Sequence, residues 1–391
     1  MPDTSQTANL LLGGLDMQGS QQPLTLDAYR QQGGYAALRK ALSDLSPAQV
    51  IGQISDSGLR GRGGAGVLAA EKLKLVARAD SADRYLVCNA YDADDRSLIS
   101  ATLLARNPHA VLEGMALAAY AIGAHEGYLY VRSSRTAGAE AVQAALAEAL
   151  GQGLLGRGAL GSSFDFAITV VGVERGFMAG EESSLLEILK GRPMKAQQRP
   201  PYPTDYGVHD KPTAVQNVET LANLPVILGK GVKAFRAVGT ATTPGTKLVT
   251  VLGPGAATGR LIEIPFGATL AQVLRQAGLD VNESSARGVV VGGREGGVLP
   301  LAQLNTPFDF EALEEIGAIV GSSVIEALAT DTCMVHWAME QSDYLAEASC
   351  GKCVPCRVGV KRIAGTLSGI VSDLGKQDDL ALLDEFAHYV P

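Results

Sequence analysis

Three of the five cysteines stand close together: Cys350, Cys353 and Cys356 share the segment SCGKCVPCRVG. Cysteines at CxxCxxC spacing can place three thiolates around one metal centre, and ligation by sulfur alone favours an iron–sulfur cluster. A structural zinc site is the alternative. A [4Fe–4S] cluster normally has four protein ligands, and the fourth is left open between Cys333, His388 and a residue outside this sequence.

A second chemically suggestive segment is SGLRGRGGAG, which covers Ser57–Gly66 and contains five glycines and two arginines. Backbone amides in a glycine-rich loop can bind a phosphate group, because no side chain keeps the ligand away. The segment matches neither the dinucleotide-binding fingerprint nor the lysine and Ser/Thr pair of a P-loop. A plain flexible loop is therefore an equal alternative.

Two further motifs combine polar residues with the start of a predicted helix. GFMAGEE ends in Glu181 and Glu182, which either stabilise a helix N-terminus through the macrodipole or present a carboxylate to a cofactor. DKPTAVQNVET contains Gln216 and Asn217, whose amides either bind a flavin or form a hydrogen-bond network at a helix start. No Ser-His-Asp order is recognisable, and we identify no catalytic acid, base or nucleophile.

Composition limits the classes of protein to which the chain can belong. Its 391 residues are 46% hydrophobic and 19% charged, which suits two or three domains and excludes general disorder. The net charge of −8 argues against nucleic-acid binding. No apolar run is long enough to span a membrane, and Leu10–Leu15 is too short for a signal peptide, so we expect a cytoplasmic protein without direct membrane insertion.

The hydrophobic pattern predicts alternating strands and helices in the first half of the chain. The predicted strands are Arg84–Asn89, Gly127–Arg132 and Phe164–Gly172, and the predicted helices include Ala48–Ser55, Pro108–Ala124, Ala137–Leu150, Glu181–Lys190 and Gln216–Leu228. Such alternation is typical of a parallel sheet covered by helices. The proline-rich stretch Gly191–Val215 has no periodicity, and irregular segments of this length are usually functional.

The second half predicts a smaller α+β unit followed by helices. Strands at Lys247–Gly253, Gly259–Pro265 and Gly288–Val291, with a helix at Leu270–Ala277, predict a ubiquitin-like domain. We therefore divide the chain into four parts: an N-terminal leader (residues 1–49), an α/β domain (50–240), the ubiquitin-like domain (241–330) and a helical domain with the cysteine cluster (331–391).

Together, these motifs resemble one family, the NADH-binding flavoprotein subunit of respiratory complex I, which also occurs in NAD-linked formate dehydrogenases and multisubunit hydrogenases. The resemblance covers residues 50–391. Its segments follow the family order: SGLRGRGGAG, YLVCNA, NPHAVLEGMALAAYAIGA, AGEESSLLEILKG, RPPYP, KPTAVQNVETLANLP and ASCGKCVPCRVG. Agreement at so many ordered sites is not expected by chance.

The resemblance implies both a fold and a function. Members of this family have a Rossmann-like domain that binds FMN, a ubiquitin-like domain of the SLBB type and a helical domain with a [4Fe–4S] cluster. They act as NADH:acceptor oxidoreductases, and the flavin stands between the two-electron donor NADH and the one-electron cluster. The expected partners are iron–sulfur and catalytic subunits of a multisubunit redox complex, which can be peripheral to a membrane.

Position by position, the resemblance also implies a set of binding residues. Those along the cofactor phosphates are Gly61, Arg62, Gly63, Gly64, Gly66 and Lys72. Those around the flavin are Asn89, Asp92, Asp94, Gly180, Glu181, Gln216, Asn217 and Thr220. Those facing the nicotinamide nucleotide are Glu182, Arg199 and Tyr202, and the cluster ligands are Cys350, Cys353 and Cys356.

The chain departs from the family pattern at several positions near the expected cofactor. Val67 and Leu73 stand where the family has aromatic residues, one of which stacks on the nucleotide in relatives. Tyr91 replaces an Asp that contacts flavin and is bulky enough to intrude on the flavin pocket, whereas Gln216 in place of Asn is a mild change. The alternative function is therefore a divergent subunit that has lost nucleotide or flavin binding and serves as a structural or electron-relay component.

Overall fold

The structure, a computed structural model, describes residues 9–13, 15 and 22–390. Much of the predicted leader, namely residues 1–8, 14 and 16–21, therefore lies outside the described residues, as does residue 391. Three helices precede the first sheet: α1 (Leu26–Gln31), α2 (Ala36–Asp44) and α3 (Pro47–Ser57). Ser46 caps α3 and Pro47 occupies its first turn, which confirms the predicted helix start.

A four-stranded parallel sheet forms the centre of the first region, with β1 (Tyr85–Ala90), β2 (Glu126–Arg132), β3 (Ala167–Val173) and β4 (Thr213–Asn217) in the order β3-β2-β1-β4. The helices of this region are α4 (Ala69–Arg78), α5 (Ile99–Arg106), α6 (Pro108–Ile122), α7 (Thr136–Gly151), α8 (Glu182–Leu189), α9 (Val218–Lys230) and α10 (Val232–Arg236). The predicted parallel sheet with covering helices is confirmed. β3 begins later than predicted because Phe166 forms an isolated bridge with Gly156 instead.

Strand β4 is the element of this sheet that the sequence did not predict. It pairs in parallel with β1, whereas we expected a helix from Gln216. The strand is short and almost wholly buried, so it lacks the alternation that marks a half-exposed strand, and it runs into α9 without a loop. Asn217 makes this junction, because its side-chain oxygen accepts a hydrogen bond from the Glu219 amide at 2.9 Å and caps α9.

A second, mixed sheet forms the centre of the smaller region. Its strands β5 (Thr246–Leu252), β6 (Arg260–Pro265), β7 (Gly288–Val291), β8 (Gly297–Leu299) and β9 (Val324–Leu328) are in the order β6-β5-β9-β7-β8. Helix α11 (Leu270–Gln276) buries its apolar residues in a core shared with this sheet, and α12 (Phe310–Glu314) follows β8. The predicted β-β-α-β order is confirmed, and the structure adds β8, α12 and β9 to it.

Helices predominate after β9, as predicted. Helices α13 (Met334–Ala348) and α14 (Lys361–Val371) flank the cysteine segment, which includes a π-helical turn at Pro355–Val360, and α15 (Asp379–Tyr389) follows. Across residues 9–13, 15 and 22–390, no helix combines the length and the apolar character that crossing a membrane requires. The domain boundaries at residues 50, 241 and 331 stay predictions.

A buried ion pair joins the smaller region to the first. The Nζ atom of Lys247 on β5 lies 2.5 Å from Oε2 of Glu219 on α9, and both side chains are fully buried. The other carboxylate oxygen of Glu219 accepts a hydrogen bond from the Leu248 amide at 2.8 Å. Burial lowers the pKa of Lys247, and the neighbouring Glu219 carboxylate opposes that shift. Each charge therefore depends on its partner.

We expect Lys247→Met to destabilise the protein by about 3–5 kcal/mol, because it leaves the Glu219 carboxylate buried without its cation. Urea denaturation of the native chain and the variant measures the difference. The double variant Lys247→Met/Glu219→Gln removes both charges and should recover much of the loss. A single variant as stable as the native chain would contradict the assigned role of this ion pair.

Candidate functional site

The carboxyl ends of β1 and β4 open into a cavity of about 500 Å³, a volume typical of ligand sites. Asn89 from β1 and Val215, Gln216 and Asn217 from β4 line it. From β1 the sheet continues to β2 on one side and to β4 on the other, so the cavity lies where the strand order reverses. Open α/β sheets bind their ligands at such a switch point.

Three helices begin at this cavity. Leu68 and Ala69 at the start of α4, Glu181 and Glu182 at the start of α8, and Asn217 at the start of α9 all line its walls. The first turn of a helix has amide donors without intrahelical partners and the positive end of the macrodipole. Three such ends at one cavity suit an anionic ligand such as a phosphate.

The glycine-rich segment forms one wall of the cavity and is held in place by packing. Gly61, Gly63 and Gly66 line the cavity, and the Arg62 amide between them donates to the Thr220 hydroxyl at 2.8 Å. Gly64 has φ +103°, and a Cβ added there would lie 2.5 Å from the Gly321 carbonyl oxygen. The loop therefore approaches the turn at Gly321 so closely that only glycine fits at position 64.

A network of two cations and two carboxylates also lines the cavity. Lys72 on α4 forms a salt bridge with Glu182, and the Arg199 guanidinium lies 3.2 Å from Glu181 and 3.0 Å from Glu182. These contacts join α4, the start of α8 and the proline-rich segment. The four charges compensate one another, which leaves the amide donors of the helix ends as the main attraction for an anion.

Glu181 combines both of the roles that the sequence left open. Its carboxylate accepts hydrogen bonds from the amides of Ser183 at 2.9 Å and Ser184 at 2.8 Å, and thereby caps α8 while it also lines the cavity. Burial acts to raise the pKa of Glu181, but the hydrogen bonds from Ser183 and Ser184 and the charge of Arg199 outweigh it and hold this pKa below its usual range. Glu181 is therefore ionised at neutral pH.

The amide side chains also have structural partners. Asn89 donates to the Gly180 carbonyl at 2.9 Å, and Gln216 donates to the Ala69 carbonyl at 3.0 Å. These bonds tie β1 to the start of α8 and β4 to the start of α4. The amides thus fix the geometry of the cavity while their residues form part of its wall.

The structure brings twelve of the seventeen predicted cofactor-binding residues to this cavity: Gly61, Gly63, Gly66, Lys72, Asn89, Gly180, Glu181, Glu182, Arg199, Gln216, Asn217 and Thr220. It does not bring Arg62, Gly64, Asp92, Asp94 or Tyr202 to the cavity wall. The individual ligand contacts of all seventeen stay predictions.

The five other predicted residues have clear positions elsewhere. The buried Arg62 side chain donates to the Pro244 carbonyl at 2.7 Å, and burial lowers its pKa to about 10. Asp92 accepts hydrogen bonds from the amide and hydroxyl of Ser100, and burial raises its pKa to about 6. Asp94 accepts a hydrogen bond from the Arg294 amide of the smaller region. Gly64 packs on the turn at residue 321, and Tyr202 is exposed on the proline-rich segment.

Two of the departures from the family pattern lie away from the cavity. Tyr91 is buried beside Tyr130, with ring centroids 5.6 Å apart, and its hydroxyl donates to the Arg175 carbonyl, so it does not intrude on the cavity as we expected. Leu73 lies on the buried face of α4. Val67 does line the cavity and is half exposed there.

Several residues of the cavity wall escaped the sequence analysis, most notably Phe177 and Glu295. Phe177 is the second residue of the GFMAGEE motif that contains Glu181, so an aromatic ring within this motif was a usable signal. Glu295 comes from a turn between β7 and β8, and no local pattern connects it with the first region.

The three clustered cysteines lie in the segment between α13 and α14. Cys350 and Cys356 are partly buried and Cys353 is exposed, and the Cys356 Sγ lies 3.2 Å from the Ser349 hydroxyl. Within the described residues, no group of three or more His, Cys, Asp or Glu side chains is arranged to hold a metal ion. The donors have the chemistry of an iron–sulfur site, but their sulfurs must draw together to share one cluster.

The candidates for a fourth ligand differ in position. Cys333 precedes α13 and the cysteine cluster follows it, so the 15 residues of this helix separate them by about 22 Å at about 1.5 Å per residue. Cys333 is therefore too far away in this fold. His388 lies on α15, where its Nδ1 atom is 2.7 Å from the Asp384 carbonyl.

Fold and site together define a protein that binds a phosphate-bearing cofactor at a sheet switch point and has a separate thiolate segment. Known proteins agree: residues 54–226 match the family model of the Nuo51 FMN-binding domain, and residues 336–391 match the NADH-ubiquinone oxidoreductase-F iron-sulfur binding region. The chain is 35% identical over 360 residues to the NADH-quinone oxidoreductase F 2 protein of Rhizobium meliloti (strain 1021), covering 92% of this chain and 85% of that protein. The chain belongs to this family of NADH-quinone oxidoreductase subunits.

Other relatives are hydrogenase subunits. The chain is 36% identical over 369 residues to the NADP-reducing hydrogenase subunit HndC of Solidesulfovibrio fructosivorans, covering 94% of this chain and 75% of that protein. A crystal structure of NAD+-reducing [NiFe]-hydrogenase in the H2-reduced state matches with a TM-score of 0.81 and 30% identity. That match covers 94% of this chain and 61% of the hydrogenase chain.

We expect Gly64→Ala to destabilise the protein by at least about 1–3 kcal/mol, because alanine disfavours the positive φ and its Cβ would press on the Gly321 carbonyl. Gly52 in α3 is the matched control: a Cβ there meets nothing within 4 Å, so Gly52→Ala should stabilise by about 0.5–1 kcal/mol. Thermal unfolding of both variants measures the two effects. Equal stability of the two variants would show that the glycine loop is not packed as described.

Proposed function

We propose that this chain binds FMN in the cavity and passes electrons between NAD(H) and partner subunits through a [4Fe–4S] cluster on the cysteine segment. The observation that carries the proposal is the cavity itself, where three helix ends and a packed glycine loop meet at the switch point of a parallel sheet. Its residues fit FMN because backbone amides surround a space large enough for a phosphate and a ring system.

Each wall of the cavity has a separate part in this function. When bound there, FMN would supply the chemistry that links two-electron hydride transfer from NADH to one-electron transfer to a cluster. The amides of Gly63–Gly66 and of the first turn of α9 would bind the phosphate, since those of Gly61 and Arg62 already donate to Val67 and Thr220. Asn89 and Gln216 hold the strand ends at the spacing that the ring system needs, because both are hydrogen-bonded to neighbouring helix starts.

The charged network faces the nicotinamide nucleotide in this proposal. Lys72 fixes Glu182 on one side and Arg199 fixes it on the other, so its carboxylate has a single position from which to accept hydrogen bonds from the nucleotide. Tyr202, three residues after Arg199, is exposed and offers an aromatic surface for stacking. Phe177 supplies a second aromatic ring inside the cavity, where Val67 does not.

The partners in this proposal are iron–sulfur and catalytic subunits of a redox complex. The support is that the relatives include subunits of NADH-quinone oxidoreductase and of a hydrogenase. The cysteine segment also has exposed apolar side chains, Val354 and Val358, that suit a contact with another subunit. We propose that the protein acts in the cytoplasm, including the peripheral surface of a membrane complex.

A second function is favoured by one observation. Val67 occupies the cavity wall at the place where relatives have an aromatic residue, and it is 53% exposed. A divergent chain that has lost nucleotide or flavin binding would act as a structural or electron-relay component of a redox complex.

We expect the purified chain to absorb blue light as a flavoprotein and to bleach on anaerobic addition of NADH, because hydride transfer reduces the flavin. Ultraviolet–visible spectra before and after NADH, with flavin and iron analysis of the same sample, measure this. A colourless protein, or a yellow one that neither NADH nor NADPH bleaches, would favour the second function instead.

We expect Cys353→Ser to abolish the electron paramagnetic resonance signal of the reduced cluster, because it removes one of three thiolates in the segment. Cys333→Ser is the matched control and should keep the signal, since α13 separates Cys333 from the cluster. An unchanged signal in Cys353→Ser would refute the ligand assignment.

A further inference from the structure

The smaller region contributes one residue to the cavity of the first region. A 3₁₀ turn at Gly293–Glu295, between β7 and β8, places Glu295 on the cavity wall. Glu295 is therefore a third carboxylate beside Glu181 and Glu182, and it comes from a different part of the chain.

Buried Asp94 locks this turn against the first region. Its carboxylate accepts hydrogen bonds from the Arg294 amide at 3.1 Å, the Ser322 hydroxyl at 3.1 Å and the Arg96 guanidinium at 3.0 Å. A Cβ added at Gly293 would lie 2.4 Å from the Asp94 Oδ2 atom, so the turn and the carboxylate approach as closely as glycine permits. Asp94 thus fixes the backbone of the turn from which the exposed Glu295 side chain extends, and it is a positioning residue for Glu295.

The guanidinium of Arg294, the residue before Glu295, contacts other parts of the chain. The Arg294 guanidinium lies 4.1 Å from the Tyr344 ring centroid and 3.3 Å from the Gln341 side chain, both on α13. It also lies 3.5 Å from Asp95 on the outer side of the Asp94 loop. Arg294 therefore ties the turn to the helical region and leaves Glu295 without a salt bridge to its neighbour.

Glu295 differs electrostatically from the other two carboxylates of the cavity. Glu181 and Glu182 are both paired with Arg199, and Glu182 also with Lys72, whereas Glu295 has no salt-bridge partner in the described part of the chain. Although its side chain is open to the cavity, the surrounding protein displaces water and raises its pKa, and the negative charge of Asp94 adds to this. Asp94 is the charged group that acts on Glu295 most directly, Arg294 precedes it in the turn, and Lys72, Arg199, Glu181 and Glu182 line the same cavity.

We propose that Glu295 is a ligand-facing residue of the cofactor cavity and that its carboxylate takes up one proton from solvent when anionic FMN enters. This inference rests on the proposed FMN site. An incoming phosphate and flavin replace the water that stabilises the carboxylate and add negative charge, so the neutral carboxyl group becomes favoured. The proton comes from solvent, and no covalent bond to the cofactor forms.

The test is FMN binding by the full chain, by Glu295→Gln and by Glu283→Gln, a control at an exposed position that does not line the cavity. Calorimetric titration in two buffers of different ionisation enthalpy gives the number of protons taken up. The same titrations at pH 5.5 and pH 8 give the dissociation constants. The FMN phosphate itself titrates near pH 6, but it does so equally for all three chains, so only the differences between chains count.

We expect the native chain and Glu283→Gln to take up additional protons that Glu295→Gln does not. From pH 5.5 to pH 8, the dissociation constants of the native chain and of Glu283→Gln should rise by a factor about ten times larger than that of Glu295→Gln. A tenfold difference corresponds to a change of about one unit in the pKa of Glu295 when FMN binds. Glu295→Ala should behave as Glu295→Gln does and provides the same test if the amide variant folds poorly.

The outcomes distinguish a failure of the proposed role of Glu295 from a failure of the proposed FMN site. Equal proton uptake and equal pH dependence in the native chain and both Glu295 variants would overturn the role of Glu295 while the FMN site stands. A native chain that does not bind FMN at either pH would overturn the proposed function, and the inference about Glu295 with it.

Discussion

The positive ends of three helices meet at one edge of the parallel sheet, and the rest of the site is arranged around that concentration of amide donors. Helices α4, α8 and α9 each begin at the cavity, and a glycine loop adds further amides between them. Glu181 and Asn217 cap some of the amides at these helix starts, and an anion is suited to the donors that remain and to the positive ends of the helix dipoles. The protein also places Glu181 and Glu182 at the start of α8, and it balances them with Lys72 and Arg199 so that the site remains open to a phosphate.

The second constraint is that the cavity belongs to two regions of the chain at once. Helix α9, which begins at the cavity, also carries Glu219, whose buried partner Lys247 lies on the first strand of the smaller sheet. Asp94, in the loop after β1, holds the turn that places Glu295 on the cavity wall. The contacts between the regions therefore determine the shape and the charge of the site, and a mutation at the junction affects both.

Much of the fold was predictable because its elements follow local rules. The long apolar stretch of α6 behind its proline and the apolar runs of β1 and β2 each indicated the correct element. Strand β4 was not predictable, because a short strand buried on both faces has no alternation and this one leads directly into a helix. In the site, too, some residues have a local sequence signal and others do not. Residues within the GEE and QNVET motifs do line the cavity, whereas Glu295 reaches it only through tertiary packing.

The residue type at a motif position does not by itself determine where the side chain lies, as Tyr91 and Asp94 show. Both follow β1 in a loop that family resemblance assigns to the flavin, yet Tyr91 packs against Tyr130 and Asp94 binds the turn of the smaller region. A large side chain that finds room in a neighbouring core need not close the cavity beside it. The loop thus retains its place in the fold, and the cavity remains open.

The central claim is that the cavity at the switch point is the FMN site. A crystal structure of the chain reconstituted with FMN tests it most directly. The account predicts density for the phosphate within hydrogen-bond distance of amides in the glycine loop and the first turn of α9. Flavin density at another place on the molecule, or a cavity filled by rearranged side chains in the flavin-bound protein, would contradict it.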